Sequence, residues 1–92
     1  MATTPVQVDE ESLIREFVSQ IALPPGVKLN RVEQVLDWTG DEALRIYFDV
    51  SMKFGYGRKR IAALTGMQNA LTDKIFEAKI EKFPFFELLE VK

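Results

Sequence analysis

The segment Lys53-Phe54-Gly55-Tyr56-Gly57-Arg58-Lys59-Arg60 gathers four of the chain's twelve basic residues into eight positions. A glycine-rich turn leading into a helix brings backbone N–H groups close to a phosphate, and the helix dipole and Arg or Lys side chains add attraction. Phe54 and Tyr56 supply rings on which bases could stack. Lys53, Tyr56, Arg58, Lys59 and Arg60 are therefore the candidate nucleic-acid or phosphate contacts. The spacing Gly55-x-Gly57 lacks the third glycine of a dinucleotide fingerprint and the Gly-Lys-Ser/Thr of a P-loop. A flexible connection with a solvated basic face accounts for the same residues, although three cations in the first turn of a helix oppose its dipole by roughly 0.3–1 kcal/mol each.

Two other groups carry chemical potential. Asp37, Asp41 and Glu42, with Glu33 and Asp49 nearby, offer oxygen ligands of the kind Mg²⁺ or Ca²⁺ takes, but their spacing matches no metal loop and polar turn chemistry explains them. Trp38, Tyr47, Phe83, Phe85 and Phe86 are the candidate protein interface. Aromatics at such places act either as lids on a core or as interface anchors, and seven Phe, two Tyr and one Trp are many for a 92-residue core.

Cysteine and histidine are both absent. Disulfides, thiolate or imidazole metal ligands, histidine-activated nucleophiles and histidine acid/base catalysis are thereby excluded. No catalytic residue, metal ligand or cofactor is assigned. The net charge of −2 gives no global attraction to nucleic acid or anionic lipid, so either would need a local patch. Residues 1–8 lack the pattern of a signal peptide, and no apolar run reaches the length of a membrane span, so a cytoplasmic location is expected.

The elements that must position these residues are readable in the periodicity. Residues 1–8 read as a flexible tail and 9–92 as a single domain. Asp9 is an N-cap, Val8 staples onto Leu13, and Leu13, Ile14, Phe17, Val18 and Ile21 form the apolar stripe of a first helix ended by Pro24 and Pro25. From about 28 to 38 a looser pattern predicts a strand in which Val32, Leu36 and Trp38 share one face. Leu44, Ile46, Phe48, Val50 and Met52 alternate with Arg45, Tyr47, Asp49 and Ser51, which predicts a half-buried second strand. Thr39, Gly40, Asp41 and Glu42 join the two as a hairpin loop.

A second helix starts after Gly57 and is expected to reach about Lys82. Its stripe of Ile61, Leu64, Met67, Leu71, Ile75 and Ala78 keeps phase across Gly66, with Phe76, Ile80 and Phe83 extending it sideways. About 25 such residues would span about 37 Å, long enough to project past a small sheet. Pro84 stops it, and residues 85–91 form a last strand. The fold class is α+β: a two-layer α-β-β-α-β domain with a three-stranded, mainly antiparallel sheet and two helices on one face. A right-handed crossover makes the last strand parallel to the second, and placing it against the first gives order 2-1-3.

Pro25-Gly26-Val27, then Asp37-Trp38-Thr39-Gly40-Asp41-Glu42-Ala43-Leu44, then Phe83-Pro84-Phe85 resemble the short motifs of a group of small prokaryotic α+β proteins of helix-hairpin-helix-strand layout. Proteins of that look tend to be members of mobile or two-gene operons. The resemblance implies a partner-binding role and carries no catalytic residue across.

These readings converge on a non-enzymatic protein-interaction module that self-associates, as a homodimer, or binds an operon-encoded protein partner. The alternative is nucleic-acid or phosphate binding through residues 53–60, and a membrane partner is not expected.

Overall fold

The computed structural model describes residues 10–55 and 57–91. They form α1 (Glu10–Ser19), β1 (Val27–Leu36), β2 (Glu42–Ser51), a 3₁₀ turn (Met52–Phe54), α2 (Arg58–Glu77) and β3 (Phe83–Val91), the element order that the sequence predicts. The expected tail, the Asp9 cap with its Val8 staple, and Tyr56 lie outside the described residues.

The alternation of β2 translates directly into burial. Leu44, Ile46, Phe48 and Val50 are wholly enclosed, packed with Ile14 and Val18 of α1 and with Leu64, Met67, Leu71 and Ile75 of α2. Both helices thus cover one face of the sheet. Each of these four large β2 side chains contributes roughly 1.5–3 kcal/mol relative to an exposed one, and Ala43, on the other parity of β2, is enclosed as well. Met52, expected to continue the alternation, instead begins the 3₁₀ turn and is exposed.

The looseness of β1 has a physical cause. Val27 and Leu29 oppose Val50 and Phe48, but Val32 opposes Ile46 and Gln34 opposes Leu44, with a register shift between Leu29 and Arg31. Asn30 is the extra residue of a β-bulge, so inward positions are odd-numbered before it and even-numbered after it. Its Nδ2 donates to Asp49 Oδ1 at 2.9 Å, and its carbonyl accepts from Arg15 Nη2 at 3.1 Å. Of the three residues expected on one inward face, only Val32 packs against the core. Leu36 is exposed at the strand end, and Trp38, outside β1, is 94% exposed.

The sheet order is β1-β2-β3, which corrects the expected 2-1-3. The sheet is mixed: β1 and β2 are antiparallel, while β2 and β3 are parallel in unbroken register from Ala43–Phe83 to Ser51–Val91. The crossover does make β3 parallel to β2, but it delivers β3 directly beside that strand. Beyond β1 the edge is interrupted by the bulge, and Arg15 of α1 occupies the bulge carbonyl, so that side is a poor template for another strand.

Helix α2 runs unbroken through Gly66 but ends at Glu77, short of the expected Lys82. The chain leaves it through a Schellman motif: Ile80 N–H donates to Ile75 O at 3.2 Å, and Lys79 N–H to Phe76 O at 3.0 Å. Ile80 folds back onto the core cluster that contains Ile75, the apolar contact that accompanies this motif. Twenty residues give about 30 Å of helix, so the long projecting end is absent. Lys79 occupies the left-handed position at φ 58°, where glycine is normally found. Because a Cβ there costs about 1–2 kcal/mol, Lys79→Gly is expected to raise the unfolding free energy by about 1 kcal/mol in a urea titration, with an unchanged m-value.

Candidate functional site

The basic segment divides in two. Arg60, a predicted phosphate contact, turns inward at 9% exposure. Its Nη1 donates to Pro25 O at 2.7 Å and its Nη2 to Ser51 O at 3.1 Å, with the guanidinium carbon 5.2 Å from the centroid of the Phe54 ring. Nε is buried without a hydrogen-bond partner. The side chain ties the α1–β1 connection to the end of β2 and the start of α2. Phe54, the first candidate stacking ring, belongs to the same knot: a Cβ added at Gly26, whose φ is 76°, would lie 2.6 Å from the ring. Arg60 therefore opens the buried stripe of α2 where Ile61 was expected, and Ile61 is exposed.

Lys53, Arg58 and Lys59 remain on the surface, with no carboxylate within ion-pair distance among the described residues. Gly57 caps α2 without a side-chain hydrogen bond. Tyr56 lies outside the described residues, so the structure brings together only these three cations of the proposed contact set.

The carboxylates have separate uses. Asp37 Oδ1 accepts from Thr39 Oγ1 at 2.6 Å, Thr39 N–H at 2.9 Å and Asp41 N–H at 3.0 Å. The Thr39 hydroxyl above all, supported by backbone donors, holds the Asp37 carboxyl below its usual range. Glu33 pairs with Arg31 at 2.7 Å, and Asp49 receives Asn30. Among the described residues no group of three potential ligands is placed to hold a metal ion. An open hollow of about 1010 Å³ borders Asp37, Asp41 and Glu42, and Lys82 at its wall sits 2.8 Å from Glu10 and 3.8 Å from Glu42.

The sheet face away from the helices has two zones. Over β1 and β2 it is a charge lattice: Arg31 lies 4.2 Å over the ring of Tyr47, Glu33 pairs with Arg31, and Arg45 reaches Glu87 at 4.0 Å. Tyr47, ahead of Glu33, holds the Arg31 guanidinium above its ordinary range, and Tyr47 does the same for Arg45. Tyr47, predicted as an interface residue, is thus half-buried under Arg31. Along β3, apart from Glu87, the face is apolar. Phe83 and Phe85 touch with ring centroids 5.0 Å apart and remain 58% and 37% exposed.

Phe86, grouped with them in the sequence reading, points to the helix side and stacks on Phe48 at 6.4 Å. Sequence reasoning read Leu88, Leu89 and Val91 as the end of an edge strand open to another chain, and Val91 is exposed and Leu89 partly buried; it placed Ile61 and Phe76 with the apolar stripe of the second helix, and both are exposed. For Leu89 and Val91 the signal lay in β3 itself, whose sequence FPFFELLEV is mainly apolar on both parities, with one glutamate on each. Among the described residues no helix is long and apolar enough to cross a membrane. No protein-family model matches the chain, and no similar curated protein or solved structure was found.

The split of the basic segment is testable by stability. Arg60→Lys removes the fork that reaches two carbonyls and is expected to cost about 2 kcal/mol, whereas Arg58→Glu with Lys59→Glu leaves the fold intact and stabilises it by about 1 kcal/mol through the helix dipole. Chemical denaturation of the two variants reads both signs.

Asp37 gives a pH test. Its folded pKa lies below the unfolded 3.8, so its stabilisation is fully present above that value and is lost as pH falls through the folded one. Asp37→Asn is expected to show a shallower loss of melting temperature than the parent chain over the acid range below about pH 4.

Proposed function

We propose that this chain is a non-enzymatic protein-interaction module, acting in the cytoplasm, that self-associates or binds a protein partner through the β3 side of its sheet. The observation that carries the reading is the mismatch between the composition of β3 and its place. Seven of the nine residues of β3 are apolar and they fall on both faces, close to the pattern of a sheet interior, yet β3 is an edge strand with Phe83 and Phe85 open to solvent. Aromatic side chains in contact with one another on an exposed face are the residue type that anchors protein interfaces. Trp38, almost fully exposed at the hairpin turn, supplies a second anchor.

Nucleic-acid or phosphate binding keeps one specific support: Lys53 of the 3₁₀ turn and Arg58 and Lys59 at the start of α2, which have no ion-pair partner among the described residues. It loses Arg60 to the interior, and the charge lattice on the outer face balances Arg31 and Arg45 against Glu33 and Glu87. The interaction reading is tested with Phe83→Ser/Phe85→Ser. The variant is expected to keep the parent's melting transition and lose retention of the parent's protein partner, itself included, at roughly 100 μM. Unchanged retention counts against the reading. Micromolar oligonucleotide binding that weakens with salt and disappears in Arg58→Glu/Lys59→Glu would replace it with the nucleic-acid one.

A further inference from the structure

We propose that β3 pairs antiparallel with β3 of a second copy of this chain, joining two three-stranded sheets into one continuous six-stranded sheet. The inference rests on the interaction reading and commits it to one occupant. The two edges of the sheet differ in fitness for such pairing. The β1 edge is broken by the bulge at Asn30, whose carbonyl is already taken by Arg15. Along β3 the register with β2 is continuous for nine residues, and its one proline, Pro84, stands at the second position, leaving the following residues able to donate.

The helix layer points the same way. α1 packs against β1, and Lys74 Nζ of α2 donates to Gln20 at the end of α1 at 3.1 Å, so the Ala63, Gly66, Ala70 and Lys74 flank of α2 faces α1. The opposite flank, which includes Ile61 and Phe76, lies on the β3 side, and these two residues are 52% and 55% exposed. Beneath it, Phe86 and Leu88 pack on the core but are only partly buried. Two helices on one face leave the third strand short of cover, and a second copy brings the missing layer. A two-fold axis runs the two α2 helices antiparallel and turns Ile61 toward the partner's Phe76.

Charge selects the direction and the register. β3 carries its two carboxylates, Glu87 and Glu90, in its second half, so antiparallel pairing sets them beside the apolar first half of the other strand, whereas parallel pairing in register would set each beside its own copy. Centring the pair on Glu87 would oppose like charges. Centring it on Phe86 instead sets Phe85 against the partner's Glu87 and Phe83 against the partner's Leu89. The Phe48–Phe86 stack then meets its own copy across the axis.

The chain has no cysteine, so an introduced thiol is unique. Light scattering at roughly 100 μM is expected to give the mass of two chains. An oxidised one-to-one mixture of Phe85→Cys and Glu87→Cys chains is expected to form the mixed disulfide in preference to either self-paired one, because only those two positions are directly opposed. In the unmodified chain, amides of β3 are expected to exchange slowly when concentrated and faster on dilution, a readout that survives if a cysteine variant misfolds. A dimer that cross-links through Trp38→Cys and shows no concentration-dependent protection in β3 overturns the edge pairing while the interaction reading stands. A monomer overturns the pairing too. If, in addition, Phe83→Ser/Phe85→Ser retains the same native-host proteins as the parent, the interaction reading falls with it.

Discussion

The fold depends on keeping one face of β2 dry. Leu44, Ile46, Phe48 and Val50 are fully enclosed, and every other element is placed by its part in enclosing them: α1 from the β1 side, α2 along the middle, and Phe86 and Leu88 from β3. A chain of this size has little surface to hide, so its single core takes nearly all the cover its two helices provide. Once β2 is central, the arithmetic of two helices over three strands leaves one strand thinly covered. α1 contacts β1 and its end reaches α2, so the thin place falls on β3. The exposure of Phe76 and Ile61 and the half-burial of Phe86 and Leu88 are consequences of that shortage.

The closure of the opposite end of the core depends on Arg60. The loop after α1, the end of β2 and the start of α2 converge there, and the first two present backbone oxygen to the Arg60 side chain of the third. A guanidinium is the one side chain that can reach Pro25 O and Ser51 O at once while lying over a phenylalanine ring. The site binds a cation through carbonyls rather than a carboxylate, and Gly26 lets the Phe54 ring come close enough to complete the cover. One of the three cations that oppose the α2 dipole is thus retained for its two hydrogen bonds. Arg58 and Lys59 have no comparable contact.

How much of this was legible in the sequence varied with how local the determining physics was. The strict alternation of β2 and the apolar stripes of both helices are local patterns, and element order and fold class followed from them. The β1 bulge was hidden because one inserted residue inverts the parity of all that follows, so Val32 and Leu36 looked equivalent when only Val32 reaches the core. The early end of α2 was hidden because a lysine, not a glycine, takes the left-handed position. Arg60 was misassigned because composition cannot separate a cation facing solvent from one facing two backbone carbonyls 35 and 9 residues away in sequence. The strand order was misplaced because both sides of β1–β2 satisfy the crossover rule, and the bulge that disqualifies one side was itself invisible. Of the candidate interface, Trp38, Phe83 and Phe85 were found as exposed aromatics, while Phe86 was lost to the core by the parity of a single position.

The two zones of the outer sheet face also decide where a partner meets this domain at least cost. Over β1 and β2, Arg31, Glu33, Arg45 and Glu87 are solvated pairs with Tyr47 beneath them. A surface laid flat across that lattice would have to strip water from four charges, and the desolvation of ion pairs commonly equals or exceeds what their attraction returns. Along the β3 edge the groups to be desolvated are mostly backbone donors and acceptors, which an incoming strand re-pairs, and the side chains beside them are mainly phenylalanine, leucine and valine, with Glu87 and Glu90 the two charges. The charge lattice thus keeps the middle of the sheet wet, so the proposed association costs least at the β3 edge.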